Sequence, residues 1–208
     1  MDSGYAENLL SGKNALHLKI AEKFGYSKYS FDFAHWFFGR ALGLVSLCAF
    51  LSYWIQADAL IGADGISPWN EDLYEIEEVA DQNPNLSKYS LRPTLLWFSI
   101  PGGHTTLFVI GSLSSFALTL GWIPLVSAIF SYVTYLSLMV VGEPFLSFQW
   151  DILLVESLLL SLPFLPMVRF HRLGSKVYFS HWSRILVIVL LAKLMFESGI
   201  VKFTSFAG

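Results

Sequence analysis

The sequence predicts an all-α membrane protein, a polytopic bundle of about five transmembrane helices with short amphipathic helices beside them. Three observations carry that prediction. Of the 208 residues, 54% are hydrophobic and only 14% are charged, a balance too apolar for a soluble domain of this length. The apolar residues gather into runs of the length a bilayer demands, roughly 20 residues for 30 Å of hydrocarbon at about 1.5 Å per residue. The basic residues collect in two segments and the acidic ones in a third, as they do when loops alternate between the two sides of a membrane.

Residues 1–35 form a polar N-terminal segment. Within it Leu9, Leu16, Ile20 and Phe24 recur at helical spacing with lysines between them, which predicts an amphipathic helix on the inner leaflet. About 35 mixed residues precede the first apolar run, so that run is read as a span that stays in the mature protein and not as a secretory signal. The first span covers residues 36–56, with Trp36 and Trp54 near its ends at the level of the aromatic belts.

An acidic loop at 57–92 follows. Ser67 and Pro68 precede residues 69–80 as an N-cap and a first helical position, predicting a short acidic helix. Residues 95–100 are apolar but too short to span, and Pro101-Gly102-Gly103 interrupts them, so a re-entrant or interfacial segment is expected. Spans two and three, residues 104–120 and 125–141, make a hairpin through the Gly121-Trp122-Ile123-Pro124 turn. Gly142 and Pro144 predict a tight external turn, and Phe148-Gln149-Trp150 begins span four, residues 148–167, at the interface. A fifth span covers residues 182–202.

Lys13, Lys19, Lys23 and Lys28 precede the first span, and Arg169, Arg172, Lys176 and Arg184 separate the fourth from the fifth. Both segments belong in the cytosol, and the 57–92 loop, with Lys88 and Arg92 against eight acidic residues, belongs outside. Five spans satisfy all three assignments at once. The N-terminus is then cytosolic and the C-terminus external.

A net charge of −3 with scattered basic residues excludes a nucleic-acid surface. The single cysteine, Cys48, supports neither a disulfide framework nor a thiolate metal site. His17, His35, His104, His171 and His181 include no pair at i, i+3 or i+4, so neither a haem nor a zinc site is expected, and no cofactor is implied. No phosphate-cradling glycine loop or nucleophile elbow is present.

Ionisable residues inside the spans are the informative ones, because each costs at least a few kcal/mol at the membrane centre unless it is paired or hydrated. They are Arg40, Asp151, Glu156, Lys193, Glu197 and Lys202, with Gln149 as a neutral neighbour. Counting from the outer ends of spans four and five places Glu156 about 12 Å deep and Lys193 about 14 Å deep, hence level and of opposite sign. The same count puts Asp151 about 4 Å deep, near Lys202, which together suggest a polar ladder between the two spans. Lys193 and Glu197, four apart, share a helix face. Two readings stay open: pairs that hold helices together, or a polar cavity that binds or processes something. Arg40, near the cytosolic boundary, is read as a snorkelling cation. Gly39 and Gly43 form a small-xxx-small pair suited to close helix packing.

Three stretches together resemble the lipase maturation factor family: RALGLVSLCAFLSYWIQADALIGADGISP from Arg40 to Pro68, YLSLMVVGEPFLSFQWDILLVE from Tyr135 to Glu156, and KLMFESGIVKF from Lys193 to Phe203. The FLSFQWD…LLVE portion is the most specific, since its polar residues interrupt an apolar helix. The resemblance runs from about Trp36 to the end. It implies a multi-pass protein of the endoplasmic reticulum membrane, or of the inner membrane in a bacterium, that assists the folding of immature secreted clients such as lipases. It also implies a large C-terminal extramembrane domain that these residues do not include, so the chain reads as the membrane part of a longer protein. The membrane fold further resembles the transmembrane domain of vitamin K-dependent carboxylases, which supplies the competing reading of a membrane enzyme using Lys193, Glu156 or Asp151. A transporter is disfavoured because the inner halves of the spans are largely apolar.

Overall fold

The computed structural model describes residues 26–27, 32–83, 86–143, 145–173 and 179–206. The expected amphipathic helix at 8–24, together with Pro144 and Lys176, lies outside these. Among the described residues the architecture is helical. In chain order the helices are α1 (Asp32–Leu60), α2 (Trp69–Gln82), α3 (Lys88–Leu91), α4 (Gly103–Leu120), α5 (Pro124–Val141), α6 (Gln149–Ser161) and α7 (His181–Phe206). Short 3₁₀ turns occupy Leu95–Phe98 and Leu162–Phe164, and Tyr26–Ser27 pairs antiparallel with Phe179–Ser180.

Phe33–Leu60, Gly103–Leu120 and Pro124–Val141 are long and apolar enough to cross a membrane by length and composition. Their packing is that of a lipid-facing bundle. Large side chains such as Ile55, Leu113 and Phe130 point outward, while Ser46, Ser115, Ser131 and Ser137 are buried between helices. Ser115 Oγ and Ser131 Oγ meet at 3.0 Å across the α4–α5 hairpin. Small hydroxylated residues permit this close approach and satisfy their own polar atoms in doing so. Ser46, Thr134 and Ser137, for example, donate back to carbonyls of their own helices.

α1 lies against the hairpin, and Phe50 seats its ring directly over Gly111 of α4. The Phe50 ring meets Tyr135 edge-on at 5.1 Å, and Phe108 meets both Tyr53 and Trp54. Gly39 and Gly43 serve different neighbours. A Cβ on Gly43 would lie 2.5 Å from the Thr119 backbone nitrogen, whereas one on Gly39 would meet only Leu165 Cδ2, at 3.1 Å.

Outside the core, Leu95–Phe98 packs on α5: Thr94 Oγ1 donates to the Ser137 carbonyl and Leu95 N–H donates to Ser137 Oγ. α2 begins one residue later than expected, with Pro68 as its N-cap, extended at ψ 124°, its carbonyl already accepting from Glu71 and Asp72 N–H groups. Arg92 ties α2 to the end of the hairpin through Asp72 at 3.1 Å and Glu143 at 2.7 Å. Burial opposes the Arg92 charge, but its hydrogen bonds to Glu143 and Asp72 prevail and raise its pKa. Lys88 pairs with Glu77 at 2.5 Å.

The fourth apolar run is not one continuous α-helix. α6 ends at Ser161 and passes into the 3₁₀ turn, because Pro163 and Pro166 each remove a backbone donor that an α-helix would need. α7, by contrast, runs 26 residues and packs chiefly on α6.

Candidate functional site

The bundle holds three groupings of polar side chains, at its two ends and between its last two helices. Near the first, Gly121 adopts φ 75° to end α4, and the segment after α6 pairs with this turn: Ile123 N–H donates to the Arg169 carbonyl, and His171 N–H to that of Gly121. Arg40 reaches from α1 to the same place. Its guanidinium donates to the carbonyls of Leu120 at 3.1 Å and His171 at 2.8 Å, and lies 4.1 Å from the Trp36 ring centre. It is therefore a tie among three segments and not a freely snorkelling cation. The buried His35 and His171 rings sit 5.0 Å apart beside it, and His35 Nε2 bonds the Phe164 carbonyl.

The second grouping lies between α6 and α7. Lys193 Nζ stands 2.5 Å from Glu156 Oε1 and 3.9 Å from Glu197 Oε1. Gln149, seven residues before Glu156 and thus on nearly the same helical face, lines the same groove with Leu153 and Leu190, around about 340 Å³. Two carboxylates against one ammonium leave the groove with acceptor capacity to spare.

The expected Asp151–Lys202 rung does not form. Asp151 instead accepts a 2.7 Å hydrogen bond from the Tyr135 hydroxyl and is 5% exposed, while Lys202 is exposed on α7 and has no ion pair among the described residues. Angle explains the difference. Asp151 and Glu156 are five residues apart, about 140° around α6, and Lys193 and Lys202 are nine apart, about 180° around α7. Depth alone puts Asp151 near Lys202, but a second rung would require both helices to turn the same face twice.

Residue spacing does not reveal the third grouping. Tyr53 from α1, Tyr135 from α5 and Asp151 from the first turn of α6 converge at the end of the bundle opposite Arg40. They border a cavity of about 290 Å³ with Gln56, Phe148 and Trp150. Tyrosines inside apolar runs read as aromatic packing, and only the fold shows the Tyr135 hydroxyl bonded to a carboxylate. Among the described residues no group of three His, Cys, Asp or Glu side chains is arranged to hold a metal ion.

Comparison with known proteins places these features. The family model described as the lipase maturation factor transmembrane domain matches residues 33–207. Lipase maturation factor 2 of Xenopus tropicalis is 35% identical over 175 residues, covering 77% of this chain and 23% of the relative. The Gallus gallus protein of the same name is 34% identical over 180 residues, covering 81% and 24%. Lipase maturation factor 1 of Homo sapiens is 27% identical over 171 residues, covering 78% and 30%. The chain thus spans about a quarter of the length of the curated relatives it matches first. No solved structure matches it.

Proposed function

Because this chain belongs to the lipase maturation factor family, we propose that it is a membrane-embedded maturation factor for immature secreted clients such as lipases. The match of one family model to nearly all of the described bundle is the observation that supports this reading. The polar residues suit assistance better than bond-making. Glu156 and Lys193 engage each other, and Arg40 is consumed in holding the turn between α4 and α5. The working topology is five spans, with the N-terminus cytosolic and the acidic loop at 57–92 external, in the endoplasmic reticulum membrane of a eukaryote or the inner membrane of a bacterium. The distribution of lysine and arginine supports it.

The test is co-expression of the full chain with a secreted homodimeric lipase in cells deprived of their own maturation factor. Secreted lipase activity should rise, and the immature client should co-purify with the chain from membranes. Correct membrane insertion without either effect would overturn the proposal.

A further inference from the structure

The cavity beside Asp151 is lined by polar, aromatic and aliphatic side chains. Asp151 Oδ1 accepts a hydrogen bond from the Tyr135 hydroxyl, but Oδ2 and the hydroxyl of Tyr53 are buried atoms with no partner among the described residues, and each residue is only 5% exposed. Gln56 spends its amide N–H on the Ser52 carbonyl, which leaves its side-chain oxygen as a further acceptor. No Lys, Arg or His borders the cavity among the described residues. The N-terminal end of α6 offsets part of the Asp151 charge, since Asp151 sits in its first turn, but supplies nothing that fills the space.

The walls fit a cation as well. Phe148 and Trp150 stack at 4.7 Å and are 50% and 66% exposed, an aromatic rim of the kind that sits at the headgroup level of a bilayer. A Cβ on Gly142 would come within 2.6 Å of the Tyr53 hydroxyl, so glycine is what lets that hydroxyl sit against the end of α5. A carboxylate and aromatic side chains lining one cavity is a combination that recognises ammonium groups.

We propose that this pocket binds an ammonium group, carried either by an aminophospholipid headgroup or by a free small amine. The proposal stands on Asp151, Tyr53 and the cavity, independently of client maturation. Ethanolamine is the probe for the free amine, added to the full chain in detergent micelles. Nanodiscs of phosphatidylethanolamine, against nanodiscs of phosphatidylglycerol, probe the headgroup. A saturable rise in melting temperature is expected with ethanolamine if the source is free, or in phosphatidylethanolamine alone if it is lipid. Asp151→Asn preserves the shape and the Tyr135 bond, and should weaken the amine effect about tenfold or more by removing the charge. Trp150→Ala, at an exposed position, should weaken it about threefold even if the asparagine variant folds poorly. Three results would each overturn the assignment: no stabilisation by either amine, equal stabilisation by ethylene glycol or phosphatidylglycerol, or undiminished binding by both variants.

Discussion

Lys193 and Glu156 meet across two antiparallel helices at 2.5 Å, 37 residues apart in sequence, while the carboxylate on the lysine's own helix, Glu197, stands off at 3.9 Å. The partner across the groove is thus the closer one. Glu156→Gln and Lys193→Met should each lower the folded fraction only modestly, because both side chains are partly exposed at the groove mouth. The double variant should recover most of that loss, and Glu197→Gln should change little. Fluorescence-detected size exclusion after graded heating reads the fraction folded. Strictly additive losses in the double variant would show that the two charges do not stabilise each other.

Arg40 should not tolerate lysine. One ammonium cannot donate to the Leu120 and His171 carbonyls and also stack on Trp36, so Arg40→Lys should cost about 1–2 kcal/mol. Gly121→Ala should do comparable damage from the opposite side, since its φ of 75° disfavours a side chain and the new Cβ would lie 2.7 Å from the guanidinium. Thermal melts of the two single variants check both. Wild-type stability in Arg40→Lys would show that the charge alone suffices.

The two glycines of the small-xxx-small pair should behave unequally. Gly43→Ala would force a methyl into the Thr119 and Leu118 backbone and should cost about 2 kcal/mol or more. Gly39→Ala meets only a leucine methyl that can rotate, so its effect should stay within about 1 kcal/mol. Helix propensity favours alanine at both positions, so equal losses would mean that the close α1–α4 approach at Gly43 does not set the cost.

How far these features could be read in advance follows from what each one depends on. α1, α4 and α5 are visible because unbroken apolar length is a local property, and the hairpin turn is visible because Gly121 and Pro124 punctuate it. The meeting of Glu156 with Lys193 could be estimated from depth, a one-dimensional count. The Asp151 pocket could not, because it depends on angle around α6 and on a tyrosine 16 residues earlier that is indistinguishable in sequence from core packing. The Arg40 tie was equally hidden, since its acceptors are backbone carbonyls, which no side-chain pattern announces.

The acidic loop at 57–92 should stay attached to the bundle throughout the physiological pH range. The hydrogen bond to Glu77 raises the Lys88 pKa above 10.5, so whatever that pair contributes is fully present below the usual lysine value and fades only above it. The raised Arg92 pKa acts in the same sense at still higher pH. Limited proteolysis of α2 should therefore be equal at about pH 6 and pH 9, and faster in Arg92→Gln at both. Protection that vanished between those two values would point to a different anchor.

Topology can be checked at Ser147, which is exposed just before α6. With Cys48→Ala as background, Ser147→Cys should react with an impermeant maleimide added from outside the cytosol. Labelling only after detergent would reverse the proposed orientation.

The Arg40 tie also sets a schedule for synthesis. Its acceptor at His171 is made 131 residues after it, so at roughly 5–20 residues per second the ribosome needs on the order of ten seconds to supply the partner. During that interval the guanidinium lacks its full set of acceptors, since the Leu120 carbonyl follows after 80 residues and that of His171 only after 131. The nascent helix must therefore wait with Arg40 in water or in the hands of the insertion machinery. The arrival of the segment after α6 is what releases it into its final place.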